Sequence, residues 1–550
     1  MKKLFQLVLT FFTSLTIMSQ TASETKLVVS IVVDQMRADY LTRYSHLYEG
    51  GFKTLLEDGE VFWNAHYTHA PTYTAPGHAS IYTGTDPRFH GVIGNDWYVP
   101  SIGKTTYCLE DPVVSPIGTT SKYAKRSPKN IHSTTWTDEL EWASNKKSKI
   151  FAFSLKDRGA ICAAGHFGDA AFWLDKSGFI SSSYYMSSLP KWLINFNRKN
   201  SLKSYMNGQW DYLIDKNEYP EIQSTEFERI PKGARKADFP YDLSLLFNFD
   251  TTGIEAFKTT PKGNQILVDV AIEALKKEEL GIHNNRFPDV LAISFSATDY
   301  IGHGTGIRSH ETMDMYLRLD RQLDTLIEYL NKYVGKDNFI IVLTADHGAA
   351  DNPSQAKMDG MPVDWMAPAD LESEFRELIV AAGVPAELIL NFSNEQVYIQ
   401  ENDNLESIQE VVRNALLKHP AIAESWTKDE IRRASEPFAL MRKNGSDKRS
   451  GQVFYSLYPG SIAYYKTGTT HGSGYTYDTH VPVIFYGEIF HSPKGHNERI
   501  NIKDIAPTLS HILKIAQPSA CNGDIYRKLL IKIGGVWCLS ESITNNSNIF

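Results

Sequence analysis

Asp346-His347-Gly348 ends a short apolar run, Phe339 to Leu343, that is rich in β-branched residues. A carboxylate and an imidazole side by side suit zinc or a similar divalent ion. The carboxyl end of a buried strand is where open α/β sheets place their ligand sites. Taken alone, the tripeptide fits an ordinary strand-ending turn equally well, so the test is whether other strands end in the same way. Lys26 to Val33 runs into Asp34, Ser148 to Leu155 into Lys156-Asp157-Arg158, and Val290 to Phe295 into a segment holding Asp299 and His303. With Thr74 at a predicted helix start and His471 in Thr-Thr-His-Gly, the chain offers three carboxylates, three imidazoles and a hydroxyl. That set could build two four-coordinate metals with room for substrate. Two metals about 4 Å apart can clamp the attacking and leaving oxygens of an in-line phosphoryl displacement, and one of them would activate a threonine, otherwise a weak nucleophile.

Those residues need elements to hold them. The apolar runs read as strands buried on both faces of a mostly parallel sheet. Between the Val290 and Phe339 runs, Met313, Tyr316, Leu319, Leu323, Leu326, Ile327 and Leu330 recur at helical spacing, which predicts a strand–helix–strand crossover. Val481 to Phe485 is a further strand and Asp504 to Leu513 a helix. Thr74 to Pro76 reads as a helix entry with Thr as cap and Pro in the first turn, and Gly84 as the stop. A hydroxyl there faces backbone N–H groups and a positive dipole end, a place for phosphate. The fold class expected is α/β, with two insertions, roughly 165–264 and 351–469, on one edge of a single sheet and forming a cap over the strand ends. The second contains a helix at Leu405 to Lys418.

The chain has 550 residues and a formal net charge of -8. No long basic run is present, which argues against nucleic acid or an acidic membrane surface as partner. Residues 1–22 have the layout of a secretory signal: two lysines, an apolar run from Leu4 to Met18, then small polar residues, with cleavage expected between Ser19 and Ser23. No later run is long enough to span a bilayer, so an exported chain, periplasmic or secreted, without stable membrane insertion is expected. Of Cys108, Cys162, Cys521 and Cys538, none has zinc-motif spacing, and Cys521 with Cys538 is the most local disulfide pair. The catalytic body is expected over 23–530, with 531–550 a tail, mobile in its last ten residues.

The ordered segments VVDQMRADYL, PTYTAPGHASIYTG, GNDWY, SLKDR, SATDYIGH, TADHGAA, GTTHG and DIAPTL resemble the alkaline phosphatase superfamily, and within it the bacterial phosphate-irrepressible branch that uses threonine as nucleophile. The resemblance runs from about Lys26 to Gly523. It implies an α/β/α sandwich and two zinc ions per chain. Asp34, Asp346 and His347 would hold one zinc, with the Thr74 oxygen. Asp299, His303 and His471 would hold the other. Asn95, Lys156 and Arg158 would bind the non-bridging oxygens of a phosphate monoester, whose extra charged oxygen a diester lacks. The implied activity is monoester hydrolysis through a covalent phosphothreonine, rising towards alkaline pH, by a monomer.

Each residue also has a plainer reading. Asn95 follows Gly94 and could be a turn residue, and Lys156 and Arg158 could be solvated charges at a strand end. His78 and His166 sit beside Gly and read as structural. His480 is the rival of His471 as ligand. Thr74-Ala75-Pro76-Gly77-His78 shares its spacing with the sulfatase pattern but has Thr for the Cys or Ser and His for the Arg. A phosphoglycerate mutase would share the metals but not the export signal. A phosphodiesterase or nucleotide pyrophosphatase on the same fold, or an inactive binding relative, remain the alternatives.

Overall fold

Leu27–Val33 (β1) is buried along its whole length, and five of its seven residues are Val or Ile. A strand with no polar face must be covered on both sides, and β1 accordingly lies near the middle of an eleven-stranded sheet. The computed structural model describes residues 25–539, apart from 221–222, 251–252, 284, 491–494, 527–528 and 534–535. The expected signal segment and the last ten residues lie outside the described residues.

Eight longer strands build the sheet with β1 among them: Glu60–His66 (β2), Ile150–Ser154 (β3), Ala170–Asp175 (β4), Gly178–Ser182 (β5), Asp289–Phe295 (β6), Phe339–Thr344 (β7) and, later in the chain, His480–Tyr486. In space the order is β2, His480–Tyr486, β7, β1, β6, β3, β4, β5. β7, β1, β6, β3 and β4 are parallel, so their carboxyl ends share one rim. The expected crossover is present, with a 21-residue helix at His310–Leu330, but it passes over β1, because β6 and β7 flank that strand on opposite sides.

Three expectations are corrected. The strand expected at Val481 to Phe485 exists but runs antiparallel to β7, so it meets the functional rim with its amino end, and the loop before it carries His471. The segment 165–264 begins inside the sheet, since β4 and β5 are sheet strands; their mixed aromatic and small residues hide the alternation. The second insertion leaves from β7, in the middle of the sheet, not from an edge. It has its own four-stranded sheet, Ile389–Ser393 (β8), Gln396–Ile399 (β9), Val453–Leu457 and Ile422–Thr427 in that spatial order. Pro368–Ala381 and Leu405–Leu416 pack on it through Leu371, Phe375, Val412 and Leu416, a core separate from that of the main sheet. Beyond it, the tail adds a two-stranded ladder of Leu530–Ile533 with Val536–Leu539. Cys108, Cys162 and Cys521 do not pair with one another; the side chain of Cys538, and with it the expected local pair, lies outside the described residues.

No helix among the described residues is long and apolar enough to cross a membrane.

Candidate metal and phosphate site

Thr74–Thr83 (α1) is a helix with every residue buried. Tyr73, extended, is its N-cap, and Thr74 is the first helical residue, one position further in than its capping chemistry suggests. Gly84 closes the helix in the left-handed conformation at φ 66°, donating its N–H to Ser80. The buried helix touches the strand rim closely: a Cβ on Gly77 would stand 2.2 Å from the Asp346 carbonyl oxygen. Only glycine permits that approach. It brings Thr74 Oγ1 to 3.4 Å from His347 Nε2.

The three imidazoles share one arrangement. Nδ1 of His303, His347 and His471 lies 2.8, 2.9 and 2.7 Å from the carbonyl oxygens of Thr469, Gly348 and Thr72. A donor at Nδ1 fixes the tautomer and leaves the Nε2 lone pair for a metal. Those Nε2 atoms point at carboxylates. His347 Nε2 is 3.5 Å from Asp34 Oδ1 and 3.4 Å from Asp346 Oδ2, and Asp299 Oδ1 is 3.2 Å from His303 Nε2 and 3.7 Å from His471 Nε2. Two groups of ligand atoms fall within 4.8 Å of one another: Asp34, Asp346, His347 and Asp299, His347, His471. All seven expected ligands are thus brought to one place. His347 is nearer the second group than the resemblance implied, and its ring stacks on His471 at 3.4 Å.

The charges show what the site is short of. Asp34 and Asp346 are fully buried and Asp299 is 3% exposed. Asp34 Oδ1 and Asp346 Oδ2 have no hydrogen-bond partner. The Lys156 ammonium bridges Asp34 Oδ2 at 2.5 Å and Asp299 Oδ2 at 2.6 Å. Burial acts to lower its pKa, but Asp299 and Asp34 outweigh that and hold it above the ordinary lysine range. One ammonium among three carboxylates leaves negative charge over, and burial together with Asp34 pushes the Asp346 carboxyl well up. Burial holds His347 at about 4 and His471 well below its usual value, so both rings are neutral and fit to ligate. His303 is raised: burial opposes protonation there, but Asp299 prevails. Orphaned carboxylate oxygens, neutral imidazoles and excess negative charge fit divalent metal.

The phosphate side is built around α1. Asn95 Oδ1 accepts the Ala75 N–H at 2.9 Å, which fills one orphan donor of the helix start and orients the Asn95 amide nitrogen as the free donor end. Lys156 caps the helix Asp157–Ala164, whose second residue is Arg158. Arg158 Nη1 donates to the Tyr107 hydroxyl at 3.1 Å, while its buried Nε has no partner. Asp157 anchors this corner by accepting from Tyr107 and, at 2.8 Å, from Arg126. Lys156 is therefore buried and Arg158 half-buried and held by Tyr107, neither a solvated strand-end charge.

Sequence reasoning did not pick out Gln35. It sits at φ 64°, donating its N–H to Asp346 Oδ1 at 3.1 Å and its amide to Asp299 Oδ1 at 2.8 Å. A non-glycine residue held in the left-handed region is strain that surroundings must support, and it marks functional ground. His78 contacts Asp346 at 3.4 Å while bonding the Thr74 carbonyl and the Ser294 hydroxyl at 2.9 Å each, which fits its expected structural part. His480 lies apart, bonding the Trp63 carbonyl and stacking on His66, and His166 bonds the Ser133 carbonyl.

A family model described as type I phosphodiesterase / nucleotide pyrophosphatase matches residues 28–480. The chain belongs to this family. Among curated relatives, alkaline phosphatase PafA of Elizabethkingia meningoseptica is 38% identical, covering 90% of this chain and 93% of its own length. Alkaline phosphatase PhoV of Synechococcus elongatus is 37% identical, with 93% and 94% covered. A protein of Myroides odoratus named a calcium-transporting ATPase is 38% identical, with 94% and 96% covered. The crystal structure of wild-type PafA superposes with a TM-score of 0.87 at 37% identity, over 93% of this chain and all of that one. A PafA variant with one threonine, one asparagine, one lysine and one arginine replaced matches equally, at 36% identity. The α/β architecture with a mostly parallel central sheet and added small sheets is thereby that of an alkaline phosphatase.

Proposed function

We propose that this chain is an exported alkaline phosphatase that binds two zinc ions and hydrolyses phosphate monoesters through a phosphothreonine at Thr74. The observation that carries this reading is the placing of Thr74 Oγ1 at 3.4 Å from His347, the residue common to both ligand groups, beside the inward-facing cations Lys156 and Arg158. The alkaline phosphatase relatives, and a solved PafA variant altered at the same four residue types as Thr74, Asn95, Lys156 and Arg158, support it.

In this reading Asn95 and Arg158 donate to two non-bridging oxygens, drawing the phosphorus against Thr74. Lys156 meets the third non-bridging oxygen of the monoester, its long flexible stem letting the ammonium move from the carboxylates towards the phosphoryl group. Thr74 Oγ1 forms a bond to phosphorus as the ester P–O bond breaks, and the alcohol leaves with a proton. Water then attacks the phosphothreonine, releasing phosphate and restoring the hydroxyl. Zinc held by Asp34, Asp346 and His347, and by Asp299, His303 and His471, would supply positive charge at the attacking and leaving oxygens. Asn95 and Arg158 are held by Ala75 and Tyr107 before substrate arrives, which is how such a site favours the transition state.

The family's description also covers phosphodiesterases, whose substrates lack the third non-bridging oxygen that Lys156 would meet. The test compares a monoester and a diester with one leaving group in wild type and in the Lys156→Ala/Arg158→Ala double variant. A strong monoester preference that falls by ~10–100-fold per lost charged hydrogen bond, with diester hydrolysis little changed, is expected. Diester preference in the wild type would move the chain to the diesterase reading.

A further inference from the structure

A cleft of about 440 Å³ opens between the His471 loop and the second insertion. Its inner wall is Tyr73, the residue before Thr74, whose ring meets His471 edge-on at 5.7 Å. Gly472 holds Tyr73 there: at φ 131° it has no side chain, and a Cβ would stand 2.6 Å from the ring. The outer wall comes from the insertion, with Phe375, Phe392 and Tyr455, and Tyr477 closes one side. The volume suits a small organic group, and polar side chains such as Asn394, Ser461 and Ser473 stand among the rings.

Charge narrows the choice. No lysine or arginine lines the cleft. Glu372 pairs with Arg376 at 2.8 Å, Glu395 with Arg442, and Asp478 Oδ2 accepts the N–H groups of Gly472 and Ser473, while Asp478 Oδ1 has no partner. Lys156 and Arg158, the cations of the site, do not line the cleft. An anionic group would meet carboxylates and ring faces here, both unfavourable, whereas a flat uncharged ring stacks on Tyr or Phe.

We infer that this cleft is the leaving-group subsite and that it takes the flat, uncharged ring of an aromatic phosphate monoester, a nucleobase or an aryl group. The inference rests on the monoesterase reading and adds a substrate class to it. Phe392 and Tyr73 are specificity-determining residues under it; neither touches the phosphoryl group.

Adenosine 5′-monophosphate and ribose 5-phosphate differ only in the base, so the ratio of their kcat/KM values reads the cleft alone. We expect a ratio of at least tenfold in the wild type, carried by KM. It should fall towards one in Phe392→Ala, which removes a wall. The same loss is expected in Ala369→Trp, which fills the cleft from an exposed position at a helix start and spares the core. Ribose 5-phosphate turnover should stay within twofold in both. A wild-type ratio near one, a ratio unmoved by both variants, or an equal loss on both substrates would overturn the inference while leaving the monoesterase reading intact. Failure of the wild type to hydrolyse either monoester would sink that reading, and this inference with it.

Discussion

The rings of His347 and His471 lie face to face, 3.4 Å apart and within 12° of parallel. Two imidazolium rings could not share that space, so the contact holds only while both are neutral, which burial enforces. One ring comes from the end of Phe339–Thr344 and the other from the loop before the antiparallel strand. Their contact joins the two ligand groups into one site.

Because His347 belongs to both groups and His303 to neither, the two should differ in metal content. We expect His347→Ala to lose most of both zinc ions and His303→Ala to keep one, measured by elemental analysis of natively prepared protein. Chelation should lower activity and Tm together in the wild type, with zinc restoring both, since binding to the folded state stabilises it. Equal metal loss in the two variants would contradict the shared position of His347.

Thr74→Ala should lower kcat/KM by about 10³ or more, the order expected when a nucleophile of a covalent mechanism is removed. Acid quench of the wild type with a labelled monoester should trap label on the peptide containing Thr74. Thr74→Ser keeps a hydroxyl and should retain both label and measurable turnover. Label elsewhere would move the nucleophile.

Gly77→Ala tests the approach of the helix Thr74–Thr83 to the Asp346 carbonyl. In an exposed helix this change stabilises by roughly 0.5–1 kcal/mol. Here the added Cβ would stand 2.2 Å from a backbone oxygen, so the helix must shift. We expect destabilisation of about 1–3 kcal/mol, as for overpacked cores, and a fall in kcat with the altered Thr74 position. A more stable, fully active variant would show the contact to be soft.

Glu228 and Glu311 form a buried acidic pair beside the helix Ala297–Thr305, at 5% and 2% exposure. Burial, and then the charge of Glu311, push the Glu228 carboxyl up to about 9. A carboxyl raised in the folded state keeps its proton while the unfolded chain loses its own near 4.5, so its share of stability is full below that pH. It is lost as pH rises through about 9. Tm should therefore fall between pH 6 and pH 9, and Glu228→Gln should flatten the slope, by roughly 1–2 kcal/mol at the alkaline end. An unchanged slope would place the alkaline loss elsewhere.

Local chemistry determined much of this protein. Unbroken Val, Ile, Leu and Phe runs read as two-sided strands, and all five read from sequence lie in one sheet near their expected bounds, four of them parallel neighbours. Polar residues just after such runs must gather at a rim, so Asp34, Lys156, Asp299 and Asp346 could be assigned together. The tertiary structure decided what has no local signature. Ala170–Asp175 and Gly178–Ser182 lack strand patterning and are strands because β3 offers them an edge. The direction of His480–Tyr486 follows from the chain's route through the second insertion, and it places His471, not His480, at the rim. Gln35 reaches two carboxylates 264 and 311 residues away, through a backbone conformation that no composition predicts. Stacking of His347 on His471 and the cleft beyond Tyr73 likewise arise only when distant segments close on one another, since contact across a rim depends on packing and not on any single residue's preference.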